Sequence, residues 1–184
     1  MLALSKTKAG PGARLVRAPT PRIGKDEILL RVERASICGS DLAIYNWQSW
    51  APDRLRLPMV FGHEFCGEVV ETGAATRDFR RGDFVSVESH IYCGLCRQCR
   101  NGQRHVCAKL KIIGVDPQGG FAQYARVPAR CAWKHPDRAL EAVGSLMEPL
   151  GNAVYATLAE EVVGRSVLVL GAGPQGLFAI AVAK

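Results

Sequence analysis

The stretch "CGLCRQCRNGQRHVC" places Cys93, Cys96, Cys99 and Cys107 at the spacing C-x2-C-x2-C-x7-C. Thiolates two residues apart on a tight loop converge on one ion, and a fourth arriving after a short excursion closes a tetrahedron. Four sulfur ligands leave no position for water or substrate, so the set predicts structural zinc. An iron–sulfur cluster is the rival, because C-x2-C-x2-C also begins a ferredoxin-type run. There, however, the fourth cysteine follows after three residues and precedes proline. Cys38, Cys66 and Cys131 bring the total to seven. An odd number, with no export signal, argues against a disulfide framework.

A second set lies upstream: Cys38 in "ICGSD", and His63 and Glu64 in "FGHEFCGEVVETG". A thiolate, an imidazole and a carboxylate together can hold zinc while leaving room for an exchangeable ligand, as a catalytic site requires. Taken singly these residues are ordinary: a strand cysteine is usually core, and a His–Glu pair is usually a structural hydrogen bond. A third pattern, Gly171, Gly173 and Gly176, spells G-x-G-x-x-G directly after "SVLVL". Its glycines would permit a tight turn, close approach to a pyrophosphate and close helix–strand packing. The following helix amino terminus favours anionic phosphates.

The elements that must position these groups are mostly short strands. "RLVRAPTP" carries two prolines and suits a sheet edge. In "EILLRVERA", Ile28, Leu30 and Val32 repeat at period two. "EFCGEVVETG", "GDFVSVES", "GGFAQYARVP" and "RCAWKHP" continue that texture between glycines and prolines, predicting a small barrel or sandwich to about residue 135. "RALEAVGSLMEPLGNAVYATLAEEV" has helical spacing and predicts two helices broken near Glu148–Pro149. "SVLVLG" is the continuous apolar run of a parallel strand covered on both faces.

Composition narrows the function classes. The net charge is +7, but the basic residues are scattered, and the densest group, Arg97, Arg100, Arg104, Lys109 and Lys111, overlaps the cysteine cluster. Those cations would offset the formal −2 of zinc on four thiolates. No nucleic-acid module is visible, so no nucleic-acid partner is expected. "MLALSKTKAG" lacks the apolar core of a signal peptide, and the apolar tail is interrupted by glycine and proline. The expectation is a cytoplasmic protein without a membrane partner.

"GHEFCGEVVETG" matches the G-H-E-x-x-G-x5-G signature of the zinc-containing medium-chain dehydrogenases, and the cysteine loop and "GAGPQG" fall where that family has its structural zinc lobe and nucleotide fold. The chain resembles that family throughout, and "ICGSDLAIYNW", "VSVESHIYCGLCRQC" and "EPLGNAVYA" are most similar to its threonine-oxidising branch. The resemblance implies a mainly β chain. A GroES-like, partly open β-barrel catalytic domain with a structural zinc lobe would occupy residues 1–150, followed by helices and the first strand–turn–helix of a Rossmann fold over residues 151–184. It implies two zinc ions per chain, one on Cys38, His63 and Glu64 and one on Cys93, Cys96, Cys99 and Cys107. With zinc lowering the pKa of a bound hydroxyl, hydride could leave the carbinol carbon for NAD.

By the same resemblance Ser40 passes the substrate proton outward, Glu148 assists proton movement or zinc exchange, and His90 lies near the substrate. Gly171, Gly173, Gln175 and Gly176 approach the dinucleotide. The bland readings are a turn serine for Ser40 and a helix cap for Glu148. The implied substrate is a small amino alcohol, L-threonine going to 2-amino-3-ketobutyrate, with polyols of the sorbitol type as the rival. One departure is Ala43, where the family usually places a relay histidine five positions after the catalytic cysteine; restoring it by Ala43→His is expected to raise activity. The acidic residue that grips the ribose is expected about 20 residues beyond the glycines, and only eight residues follow Gly176. The cofactor site is therefore expected to be incomplete in this chain, which would be a truncated product or a zinc-binding module without turnover. Leu168, Leu170, Leu177, Ile180 and Val182 are expected to be partly exposed or covered by another chain, as in a homo-oligomer (the family is usually tetrameric).

Overall fold

The computed structural model describes residues 1–184. The chain starts with β1 (Leu2–Lys6), β2 (Arg14–Arg17) and β3 (Glu27–Ser36), followed by the helices α1 (Gly39–Asn46) and α2 (Ala51–Arg54). Next come β4 (Met59–Val60), β5 (Glu64–Thr72), β6 (Phe84–Val87) and β7 (His90–Ile91). The short helix α3 (Arg97–Arg100) precedes β8 (Lys111–Ile112), β9 (Tyr124–Pro128) and β10 (Ala132–Lys134), and α4 (Met147–Thr157) and α5 (Pro174–Ala183) complete the set.

The strands form a five-stranded antiparallel sheet in the order β10-β6-β5-β3-β9, a three-stranded sheet β2-β1-β4 and the two-stranded ribbon β7-β8. The proline-rich "RLVRAPTP" does form an edge, because β2 pairs only with β1. Ile28 and Leu30 of β3 are fully buried with Phe65, Val69, Val85, Val87 and Val127 in the main core. Leu29, on the opposite face, is buried too, so this strand is covered more fully than strict alternation predicts. A smaller cluster of Ile44, Ala51, Leu55, Met59, Phe61 and Val115 seats α1 and α2 against the barrel.

Two local expectations change. The predicted helix break at Glu148–Pro149 is absent: Pro149 is the third residue of α4. Its missing N–H would have had no intrahelical partner in that first turn. The break comes earlier, at the 3-10 turn Gly144–Leu146. There an added Cβ at Gly144 would meet the Cys66 sulfur at 2.9 Å. The run "SVLVL" pairs with no strand, and Leu168 and Leu170 are 82% and 89% exposed. A strand exists only through a ladder partner, and no other strand lies beside it. The turn and helix that follow do form, and α5 packs on α4.

Candidate functional site

Antiparallel pairing of β3 and β5 brings the upstream set together. Ser36 lies opposite Glu64 in the register, so Cys38, two residues beyond the end of β3, reaches the start of β5. Cys38 sits at the amino terminus of α1, whose third residue, Asp41, accepts the Cys38 backbone N–H at 2.9 Å. His63 is held by the turn at Gly62, which has φ +89° and lies against the Phe121 ring where any Cβ would collide. The ligating atoms of Cys38, His63 and Glu64 all lie within 4.8 Å of one another.

Asp41 was not singled out by sequence, although an acid three residues after a helix cap is a legible signal. It is 1% exposed, and its Oδ1 faces His63 Nδ1 at 3.5 Å. That distance is ion-pair range but long for a hydrogen bond, and neither atom has another partner. The two orphaned atoms point at each other, so His63 Nδ1 is committed to Asp41 and Nε2 is the ring atom available to a metal. Such carboxylate–histidine pairs orient metal ligands. Burial opposes a charge on His63, but the facing Asp41 carboxylate and the Cys38 sulfur, both able to accept from the ring, prevail and raise its pKa to about 10. The Cys38 thiol lies below its usual value, chiefly through its hydrogen bond with His63. The thiolate, imidazole and carboxylate together fit zinc, which would displace the proton of the His63 ring on binding.

The same cleft, about 380 Å³, is lined by Cys38, Ser40, His63, Glu64, His90, Glu148 and Gln175, so it gathers seven of the residues expected from sequence. Ser40 Oγ is 3.5 Å from His63 Nε2. Glu148, in the first turn of α4, accepts a 2.6 Å hydrogen bond from Ser89 Oγ; burial raises its pKa, with Ser89 and His63 opposing. His90 is fixed by Glu88, whose Oε1 accepts both its backbone N–H (2.8 Å) and Nδ1–H (2.6 Å). That bond raises the His90 pKa and leaves Nε2 free. Ser89 and Glu88 were missed in the sequence although they adjoin His90. Ala43 is buried in α1, so a histidine there would have to displace its neighbours.

The four-cysteine set also converges. Its sulfurs lie within 4.8 Å of one another, with Cys96 Sγ and Cys107 Sγ 3.8 Å apart. Two sulfurs on one tetrahedral zinc, each bonded at about 2.3 Å, would be about 3.8 Å apart. Backbone N–H groups of Leu95 and Cys96 donate to Cys93 Sγ, and those of Cys93 and Lys109 donate to Cys107 Sγ. Backbone donors lower the Cys96 thiol to about 6, while burial and the neighbouring Cys96 push Cys99 up to about 12. Four thiolates this close repel unless a cation joins them, and the donor set fits zinc.

The glycine turn has the expected backbone but lies apart from the zinc ligands. Gly171 adopts φ +110°, and a Cβ on Gly176 would run into the Gly171 carbonyl. Gly173 faces open space at the amino end of α5. Gln175 alone of this group reaches the cleft, donating from Nε2 to the Pro149 carbonyl at 3.0 Å.

Residues 24–137 match the family described as the alcohol dehydrogenase GroES-like domain. L-threonine 3-dehydrogenase of Pyrococcus horikoshii is 52% identical over 184 residues, covering 100% of this chain and 53% of that protein. Galactitol-1-phosphate dehydrogenase from Escherichia coli superposes with a TM-score of 0.88 at 28% identity, covering 100% of this chain and 52% of the other. An alcohol dehydrogenase from Escherichia coli CFT073 complexed with NADH gives a TM-score of 0.88 at 33% identity, covering 99% and 52%. The chain thus spans about half the length of the relatives it matches. With the GroES-like barrel, the mixed ligand set and the cysteine lobe in place, the chain belongs to the alcohol dehydrogenase GroES-like family of zinc-containing medium-chain dehydrogenases.

Proposed function

We propose that this chain provides the catalytic half of a zinc-dependent, NAD-linked dehydrogenase that oxidises the secondary alcohol of L-threonine to 2-amino-3-ketobutyrate. The observation that carries the reading is the convergence of Cys38, His63 and Glu64 in one cleft with Ser40, His90 and Glu148. The 52% identity with the Pyrococcus horikoshii L-threonine 3-dehydrogenase favours threonine. The structural likeness to galactitol-1-phosphate dehydrogenase favours polyols as the second reading.

Cys38, His63 and Glu64 would hold one zinc ion, and Cys93, Cys96, Cys99 and Cys107 a second. When bound, the first lowers the pKa of a coordinated hydroxyl, and a nicotinamide accepts hydride. Asp41 orients the His63 ring. Ser40, beside His63, is placed to take the hydroxyl proton, and Ser89 holds the Glu148 carboxyl at the same cleft. His90 presents Nε2 to the substrate because Glu88 holds the other ring nitrogen. Gln175 links the cofactor turn to α4 at the carbonyl of Pro149, the residue after Glu148, so cofactor and acid would be positioned together. The division between catalytic and nucleotide-binding parts would fall near residue 150, within α4. Seven free cysteines suit a reducing compartment such as the cytoplasm.

The test is to load the protein with zinc, supply NAD+ and follow NADH formation with L-threonine, sorbitol and galactitol 1-phosphate in parallel. Threonine-dependent turnover is expected. Turnover with a polyol alone would establish the second reading. Two bound zinc ions with neither turnover nor NAD+ binding would leave only a zinc-binding module.

A further inference from the structure

Arg54 is the one lysine or arginine among the side chains lining the cleft. It is the last residue of α2, and its Nε and Nη2 donate to the two carboxylate oxygens of Asp116 at 3.1 and 2.9 Å. Asp116 is itself fixed, accepting the Ile112 backbone N–H at 2.7 Å. This clamp uses the side edge of the guanidinium. The end edge, formed by Nη1 and the second hydrogen of Nη2, remains free for another planar acceptor. The side chain is 42% exposed and its hydrogen bonds use only Nε and Nη2.

We infer that the free edge of Arg54 binds the carboxylate of the substrate, so that Arg54 selects a hydroxy-amino acid over an uncharged polyol. The inference rests on the dehydrogenase reading above. Asp116 offsets part of the charge, but it also fixes the guanidinium plane before the ligand arrives, which reduces the ordering cost of binding. An uncharged polyol offers no group that matches a planar, permanently charged fork. A tie serving only to join α2 to the segment after β8 has no need to line the cleft.

The experiment is calorimetric titration of the zinc-loaded protein, with NAD+ present, using L-threonine, 1-amino-2-propanol and galactitol 1-phosphate. 1-Amino-2-propanol keeps the carbinol and amine but lacks the carboxylate. The wild type is expected to bind threonine about 30-fold more tightly than the amino alcohol, the scale of a charge-assisted hydrogen-bonded pair. Arg54→Gln is expected to erase that preference. Arg54→Lys should restore only part of it, because an ammonium cannot make the two-pronged contact. The lysine variant keeps the charge opposite Asp116, so it decides the matter if the glutamine variant fails to fold. Retention of the full threonine preference in both variants would overturn the role of Arg54 while leaving threonine as substrate. A wild type that binds neither amine would overturn the substrate reading and this inference together. An Arg54-dependent preference for galactitol 1-phosphate would assign the arginine to a phosphate and overturn the carboxylate.

Discussion

At the scale of residues, the metal ligands are positioned by partners less conspicuous than themselves. Asp41→Asn keeps the size of the side chain but removes the charge facing His63 Nδ1. Zinc affinity at the Cys38 site is expected to fall about 10- to 100-fold, measured by competition with a chelator. Cys99→Ser is expected to remove the zinc of the cysteine lobe alone, halving the metal content, and to lower the melting temperature by on the order of 10 °C. His135 shows the pH dependence of a group outside both proposed zinc-ligand sets. Ser86 gives its single hydroxyl proton to the Gly144 carbonyl at 2.7 Å, so at 2.7 Å from His135 Nε2 it must accept, and His135 is the Nε2–H tautomer. Burial holds the His135 pKa below its ordinary value, against a smaller opposing pull from Asp137. The unfolded chain then binds more protons than the folded one, so the stabilisation is present above about pH 6.5 and is lost as pH falls through the lower folded value. Melting curves from pH 7.5 to 5.5 should show a steeper acid loss for the wild type than for His135→Gln.

At the scale of elements, strand alternation and the G-H-E turn were legible because each depends on neighbours in sequence. Ile28 and Leu30 point inward as their period predicts. The helix before the glycine turn was less legible. Pro149 breaks a helix in its interior but suits its first turn, and which case applies depends on where Gly144 packs against Cys66. Gly62→Ala places a Cβ at positive φ against the Phe121 ring. It is expected to cost at least about 2 kcal/mol in denaturant melts and to weaken zinc binding at His63. The unpaired "SVLVL" carries the same lesson from the other side, since an apolar run states that it needs a partner but not where one lies.

Across the whole molecule, the main apolar core belongs to the barrel, while Val163, Leu168, Leu170, Leu177 and Ile180 are exposed. An apolar stretch of this extent favours association. Sedimentation is expected to show concentration-dependent assembly, and Leu168→Lys with Leu170→Lys should shift it toward the monomer. No helix is long and apolar enough to cross a membrane. The sequence by itself determined the close spacing of the four cysteines and the G-H-E motif, because each lies within a few residues; that Cys38 joins His63 and Glu64 was decided by the register of β3 and β5. The sequence also determined that Gly171 and Gly176 must be small, since the turn they make is local. Only the tertiary structure decided that Asp41 faces His63, that Glu88 holds His90, and that Arg54 enters the cleft with one guanidinium edge free. Arg54 and Asp116 lie 62 residues apart, and side chains so distant in sequence meet only when the register of the sheets and the packing of α2 have been set.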